Sequence, residues 1–238
     1  MDTRSMPHLI THLAPWLTAV AIAVGGAMTM NPALAANAAA TQATPLARTL
    51  QALRAGQGVP TSFEATYTMD EQARGKSQRT VFAMRFRHAP RVSRLEVRDS
   101  DHLPVGMRLR NENGGSVRIR LPGPAGFMAM AVPSRSPFSK TLMGLYPDQL
   151  TPDAFVAALL HPANQVKQVG RETIDGQSLL VVEVTGPQAI VPGATLRIAL
   201  SETRPFPVRM TLQRGEDRLV QTFGALNERP LTEAELAI

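Results

Sequence analysis

Met84-Arg85-Phe86-Arg87, Met107-Arg108-Leu109-Arg110 and Val117-Arg118-Ile119-Arg120-Leu121 alternate apolar residues with arginine at a period of two. Successive side chains of a β-strand point to opposite faces, so each stretch buries one face and leaves the other wet. Repeated along a chain, the pattern predicts an antiparallel sheet curved around an apolar interior, with a basic exterior. That arrangement suits a container better than a catalyst.

On the N-terminal side of these stretches, Phe63, Ala65, Tyr67 and Met69 keep the same period. The polar run Asp70 to Ser77 reads as the turn of a hairpin whose second strand, Thr80 to Arg87, buries Phe82, Met84 and Phe86. Ser93, Leu95 and Val97, then Val105, Met107 and Leu109, then Val117 to Leu121 after an Asn113-Gly114-Gly115 turn, mark further short strands, and Phe127 to Val132 a sixth. The sheet resumes after Gly170 with Leu180 to Val184, Leu196 to Leu200, Val208 to Leu212 and Leu219 to Phe223. Two helices interrupt this pattern. Leu46, Leu50 and Leu53 give an apolar face to a helix over Pro45 to Ala55, and Thr151-Pro152-Asp153 starts another, with Thr as N-cap and Pro at the first helical position. Phe155, Val156, Leu159 and Leu160 form the apolar face of the second. The fold class is therefore α+β, mostly β.

The first 35 residues read as an export signal. Arg4 supplies a positive start, Trp16 to Met30 an apolar stretch broken by Gly25-Gly26, and Ala33-Leu34-Ala35 a small-residue cleavage site. A membrane span needs roughly 20 apolar residues, more than this run provides. Cleavage after Ala35, a flexible leader over residues 36–44 and a single domain over residues 45–238 are expected, with release into the periplasm as a monomer. The absence of cysteine excludes disulfides and a lipidated cysteine. Lys and Arg number 25 against 19 Asp and Glu. These basic residues alternate singly along strands instead of clustering, which argues against a nucleic-acid partner, while attraction to an anionic membrane surface stays open.

Catalytic chemistry has little to stand on. Beyond the signal the histidines are His88, His102 and His161, none at ligand spacing to another, so no metal is expected. Gly114-Gly115 and Gly123-Pro124-Ala125-Gly126 lack phosphate-loop context, and no serine sits in a nucleophile elbow. No enzyme activity and no cofactor are expected. Met69, Met84, Met107, Met128, Met130, Met143 and Met210 fall on or beside inward faces, and methionine repacks readily around guests of different shape. A half-open sheet closed by two short helices leaves an apolar pocket. The candidate lining is Phe82, Met84, Phe86, Leu95, Met107, Leu109, Val117, Ile119 and Met210, with Leu46, Leu50, Leu53, Phe155, Leu159 and Leu160 on the helices above it.

Three groups of residues carry a family resemblance: Ala89-Pro90-Arg91-Val92-Ser93-Arg94-Leu95-Glu96, the Asn113-Gly114-Gly115 turn before Val117 to Leu121, and Leu196 to Leu200 followed by Pro207-Val208-Arg209-Met210, Thr222 to Leu226 and Leu231 to Ile238. In this order the chain resembles the outer-membrane lipoprotein carrier family, LolA and LolB with their lipoprotein-sorting and RseB-like relatives. The resemblance implies an incomplete barrel of about eleven strands, with helices as a lid over a cavity for acyl chains. It further implies a periplasmic chaperone of outer-membrane biogenesis, carrying an acylated lipoprotein or lipid between an inner-membrane exporter and an outer-membrane acceptor. The RseB-like relatives imply the alternative of a lipid or envelope-stress sensor without transport. Principal carriers place an arginine directly before the strand-opening proline to hold the lid. Here Ala89 occupies that position, leaving Arg87 as the possible gating residue.

Overall fold

Two long strands, β1 (Ser62–Ala73) and β2 (Lys76–Arg87), form the spine of the molecule. The computed structural model describes residues 44–112 and 115–238. The signal peptide, nearly all of the leader, and Asn113 and Gly114 of the expected turn lie outside the described residues. The β1–β2 hairpin turns on only Arg74 and Gly75, at φ 55° and 71°, the left-handed backbone that a two-residue hairpin connection requires. The polar run Asp70 to Ser77, expected as a loop, is therefore mostly strand. Its inward positions, Glu71 and Ala73, are buried, and the polar composition hid the continuing alternation.

The chain then meanders through β3 (Val92–Ser100), β4 (Arg108–Glu112), β5 (Ser116–Arg120) and β6 (Ala129–Pro133). A second meander comprises β7 (Gln165–Ile174), β8 (Gln177–Thr185), β9 (Thr195–Ser201), β10 (Pro207–Arg214) and β11 (Asp217–Phe223). β11 pairs antiparallel with β1, so the order is β6-β5-β4-β3-β2-β1-β11-β10-β9-β8-β7, with the two-residue β12 (Asn227–Glu228) on the start of β1. The sheet is all antiparallel and does not close, the incomplete barrel expected from the sequence. β7 begins before Gly170, where the sheet was expected to resume. A register shift between Gln168 and Gly170 breaks its period of two, and its polar edge carries little apolar alternation. Val105, expected on a strand, is exposed in the β3–β4 loop at 58%.

Pairing register fixes the concave face. Ala65, Met84, Leu95, Leu109, Ile119 and Met130 stand in one row across β1 to β6. On the other half, Leu180, Val182, Val184, Leu196, Ile198 and Leu200 are fully buried. There α1 (Pro45–Arg54) packs on β8, α2 (Pro152–Leu160) packs on β10, and the two helices meet. Thr44 and Thr151 cap them, each hydroxyl accepting a backbone N–H three residues on, and each is followed by proline. Between the halves stands an aromatic wall. The Phe63 ring lies 5.3 Å from Phe86 and 5.6 Å from Phe206, and Tyr67 lies 5.0 Å from Phe223.

Part of the convex face is not the wet arginine surface that alternation predicts. Glu64, Arg85, Arg94, Arg110 and Arg118 form a cross-strand row there. Over one end lies α3 (Glu233–Leu236), whose Leu236 makes a small outer core with Val92 and Leu231. Arg85 and Arg110 donate to the backbone carbonyls of Glu235 and Leu236, while Arg87 and Arg110 pair with Glu233. Cations at the carbonyl end of a helix complement its dipole. The Arg87 and Arg110 side chains are consequently only 17% and 14% exposed. Period-two alternation separates the faces of a sheet but does not show what covers them.

Hydrogen bonds from Arg229 and then from Thr232 hold the Glu235 carboxylate down to about 2, from an ordinary 4.5. Arg87, then Arg110, lower Glu233 as well, and Arg229 lowers Glu64. A depressed carboxylate stabilises the docked segment above its unfolded value and loses that contribution as pH falls through its folded value. NMR shifts of residues 231–238 should stay native from pH 7 to 5 and change between pH 4.5 and about 2. Arg229→Gln should move the transition upward.

Candidate ligand cavity

On the β1–β6 half the concave face is not filled. A cavity of about 450 Å³ lies there, inside the roughly 300–1,000 Å³ range of small-molecule sites. Phe82, Met84, Leu95, Met107, Leu109, Val117 and Ile119 line it, joined by Tyr67, Met69 and Val132. Phe86 and Met210, expected beside them, are 0% and 1% exposed and sit in the solid core. Phe86 belongs to the aromatic wall, and Met210 lies on β10, in the half that α2 packs against. Met130 continues the apolar row at the β6 edge, where it is 48% exposed.

The cover differs from the expected one. Leu46, Leu50, Leu53, Phe155, Leu159 and Leu160 do not line the cavity. Leu53, Phe155 and Leu159 are buried in the main core, and the other three pack half-buried against it. Amphipathic spacing shows correctly that each helix buries one face, but that face fills the β7–β11 half. The cavity is instead roofed by Ser139 to Thr151, which contributes Ser139, Lys140, Thr141, Leu142, Pro147, Leu150 and Thr151, with His102 and Leu103 from the β3–β4 loop.

Two anchors hold this roof, and neither was found from sequence. Glu71, buried on the inward face of β1, accepts the backbone N–H of Leu142 at 2.8 Å and of Met143 at 2.6 Å, and the amide of Gln78 at 2.7 Å. At the other end Arg91 donates to the hydroxyl of Thr151 and lies 3.5 Å from Asp153 on the first turn of α2. Arg87, the expected gating residue, is on the convex face against Glu233 and touches no part of the roof. The arginine that fastens the covering segment follows Pro90 directly. Arg135, just before the roof, pairs with Asp148 at 2.9 Å, and within it the Gln149 side chain accepts from the Tyr146 N–H. At the floor the Gln221 amide donates to the Tyr67 hydroxyl, and burial pushes that hydroxyl well above its ordinary value, so it stays protonated. Among the described residues no group of three or more His, Asp or Glu is placed to hold a metal ion, and no helix is long and apolar enough to cross a membrane.

Solved structures align with most of this chain at low sequence identity. A LolA superfamily protein from Nitrosomonas europaea aligns over 84% of this chain and 99% of its own, with 11% identity and a TM-score of 0.40. The lipoprotein LppX from Mycobacterium tuberculosis aligns over 81% and 99%, with 16% identity and a TM-score of 0.48. The MucA/MucB complex structure from Pseudomonas aeruginosa aligns over 83% of this chain and 61% of the matched one, with 14% identity and a TM-score of 0.43. No family model and no curated protein matches the chain.

Glu71→Ala would strand the N–H groups of Leu142 and Met143, each buried unsatisfied donor costing roughly 1–3 kcal/mol. Faster amide exchange at these two residues and lowered thermal stability are the expected results. Arg91→Ala should raise access of an apolar dye to the cavity, whereas Arg87→Leu should leave access unchanged while loosening residues 231–238.

Proposed function

We propose that this protein is an exported carrier that takes the acyl chains of a lipoprotein or another amphiphile into the β1–β6 cavity, for delivery to the outer membrane. The observation that carries the reading is the unfilled apolar row. A sheet whose other half is packed solid leaves Leu95, Leu109 and Ile119 only partly buried and facing the cavity. Exposed apolar surface of that extent is unfavourable unless a ligand covers it. Each methylene transferred from water contributes about 0.8 kcal/mol, so a dozen give roughly 10 kcal/mol before ordering costs, enough for reversible carriage without covalent chemistry. Methionines at 69, 84 and 107 let the wall adapt to chains of different shape. The ligand enters beneath Ser139 to Thr151, which moves against the Glu71 and Arg91 anchors. In this reading the residues beyond the signal act in the periplasm as a non-enzymatic monomer. An inner-membrane exporter supplies the ligand, and an outer-membrane acceptor receives it.

Binding of a fluorescent fatty acid tests this. Met107→Glu places an unpaired charge in the cavity and should weaken binding by at least about 30-fold, since an uncompensated buried charge costs several kcal/mol. Arg118→Ala, on the exposed convex face, should leave binding within about twofold, as surface substitutions usually act within ±0.5 kcal/mol. Loss of binding in Arg118→Ala with retention in Met107→Glu would overturn the assignment of faces.

A further inference from the structure

Beside the roof lies a second hollow of about 340 Å³, with Arg74 and Lys76 of the β1–β2 turn on one side and the segment from Pro137 to Gly144 on the other. Lys140, Thr141 and Leu142 line both this hollow and the large apolar cavity, so the two spaces share a wall. Three cationic side chains meet here, and none has an ion pair among the described residues. The Lys140 ammonium instead sits 5.0 Å from the centroid of the Tyr146 ring.

Five arginines of the sheet are held differently. Arg85, Arg87, Arg94, Arg108 and Arg110 each have a carboxylate within 4 Å. The carboxylates that bond to the backbone around the hollow are already engaged. Glu71 accepts from Leu142, Met143 and Gln78, and Asp217 accepts the backbone N–H of Arg74 while pairing with Arg214. Like charges gathered without a counter-charge repel one another, and a bound anion turns that repulsion into attraction. An arginine fork with two lysine point charges suits a phosphate group.

We infer that the hollow formed by Arg74, Lys76 and Lys140 binds the phosphate headgroup of an amphiphile whose apolar chain occupies the large cavity. This rests on the proposed function and narrows its ligand to the anionic class. The shared wall at Lys140 to Leu142 is where head and chain part, and Glu71 fixes that wall from beneath. Lys140 itself lines both the apolar cavity and the charged hollow.

The test is calorimetric titration of the purified protein with dodecyl phosphate, dodecyl maltoside and inorganic phosphate, the amphiphiles kept below their micelle-forming concentrations. Dodecyl phosphate should bind at least about tenfold tighter than dodecyl maltoside, a 1.4 kcal/mol difference. The double variant R74Q/K76Q, which leaves the lining of the large cavity untouched, should lose most of this preference and keep maltoside binding, which also shows that it is folded. Met107→Glu should abolish binding of both amphiphiles. Equal affinity of the native protein for the two amphiphiles, or a preference unchanged in the double variant, would overturn the headgroup site while leaving the cavity reading intact. Inorganic phosphate binding as tightly as dodecyl phosphate would make the hollow a free-phosphate site and overturn it too. Failure of both amphiphiles to bind the native protein would overturn the headgroup site and the cavity reading together.

Discussion

β6 and β7 are consecutive strands placed at opposite edges of an open sheet. The chain between them must cross from one edge to the other, and on a curved sheet the short path runs over the concave side. That crossing determines the rest of the structure. Its second part is α2, which packs with α1 on β8 and β10 and completes a solid core. Its first part, from Ser139 to Thr151, spans the β1–β6 half without filling it. One connection therefore supplies both core and roof, and the cavity is what remains between the roof and a row of inward apolar residues.

Charge on the convex face follows from the same register. Arginines directly opposite one another across strands are unfavourable, yet Arg85, Arg94, Arg110 and Arg118 stand in one row. Carboxylates relieve the row. Glu64 pairs with Arg85, and Glu96 takes Arg94, Arg98 and Arg108 together. The last turn of the chain adds Glu233 and two backbone carbonyls. This compensation makes much of the sheet's basic face structural, while Arg118 at the end of the row stays exposed.

The arginine alternation made the phase of the strands legible, and with it seven of the nine lining residues that face the cavity. Phe86 and Met210 share the inward phase but lie where the aromatic wall and the second meander fill the interior, a distinction that period two cannot express. The helices were legible from Leu spacing and Thr-Pro caps, but an apolar stripe does not name the surface it covers, and here it covers β8 and β10. Glu71 was hidden inside a run that resembled a turn. Its role depends on two N–H groups some seventy positions away, a pairing with no local signature. Arg91 stood within the Pro90 motif, yet its partner Thr151 could be identified only once the crossing connection was placed.

The most direct measurement is photolabelling of the purified full-length protein with a palmitic acid analogue carrying a diazirine in its chain, followed by peptide mass spectrometry. A chain held between the concave face of β1–β6 and the covering segment should label peptides spanning residues 103–119 and 139–151. Labels concentrated on residues 46–53 and 155–160, with the former peptides unmodified, would mean that the ligand lies under the helices and would contradict the account.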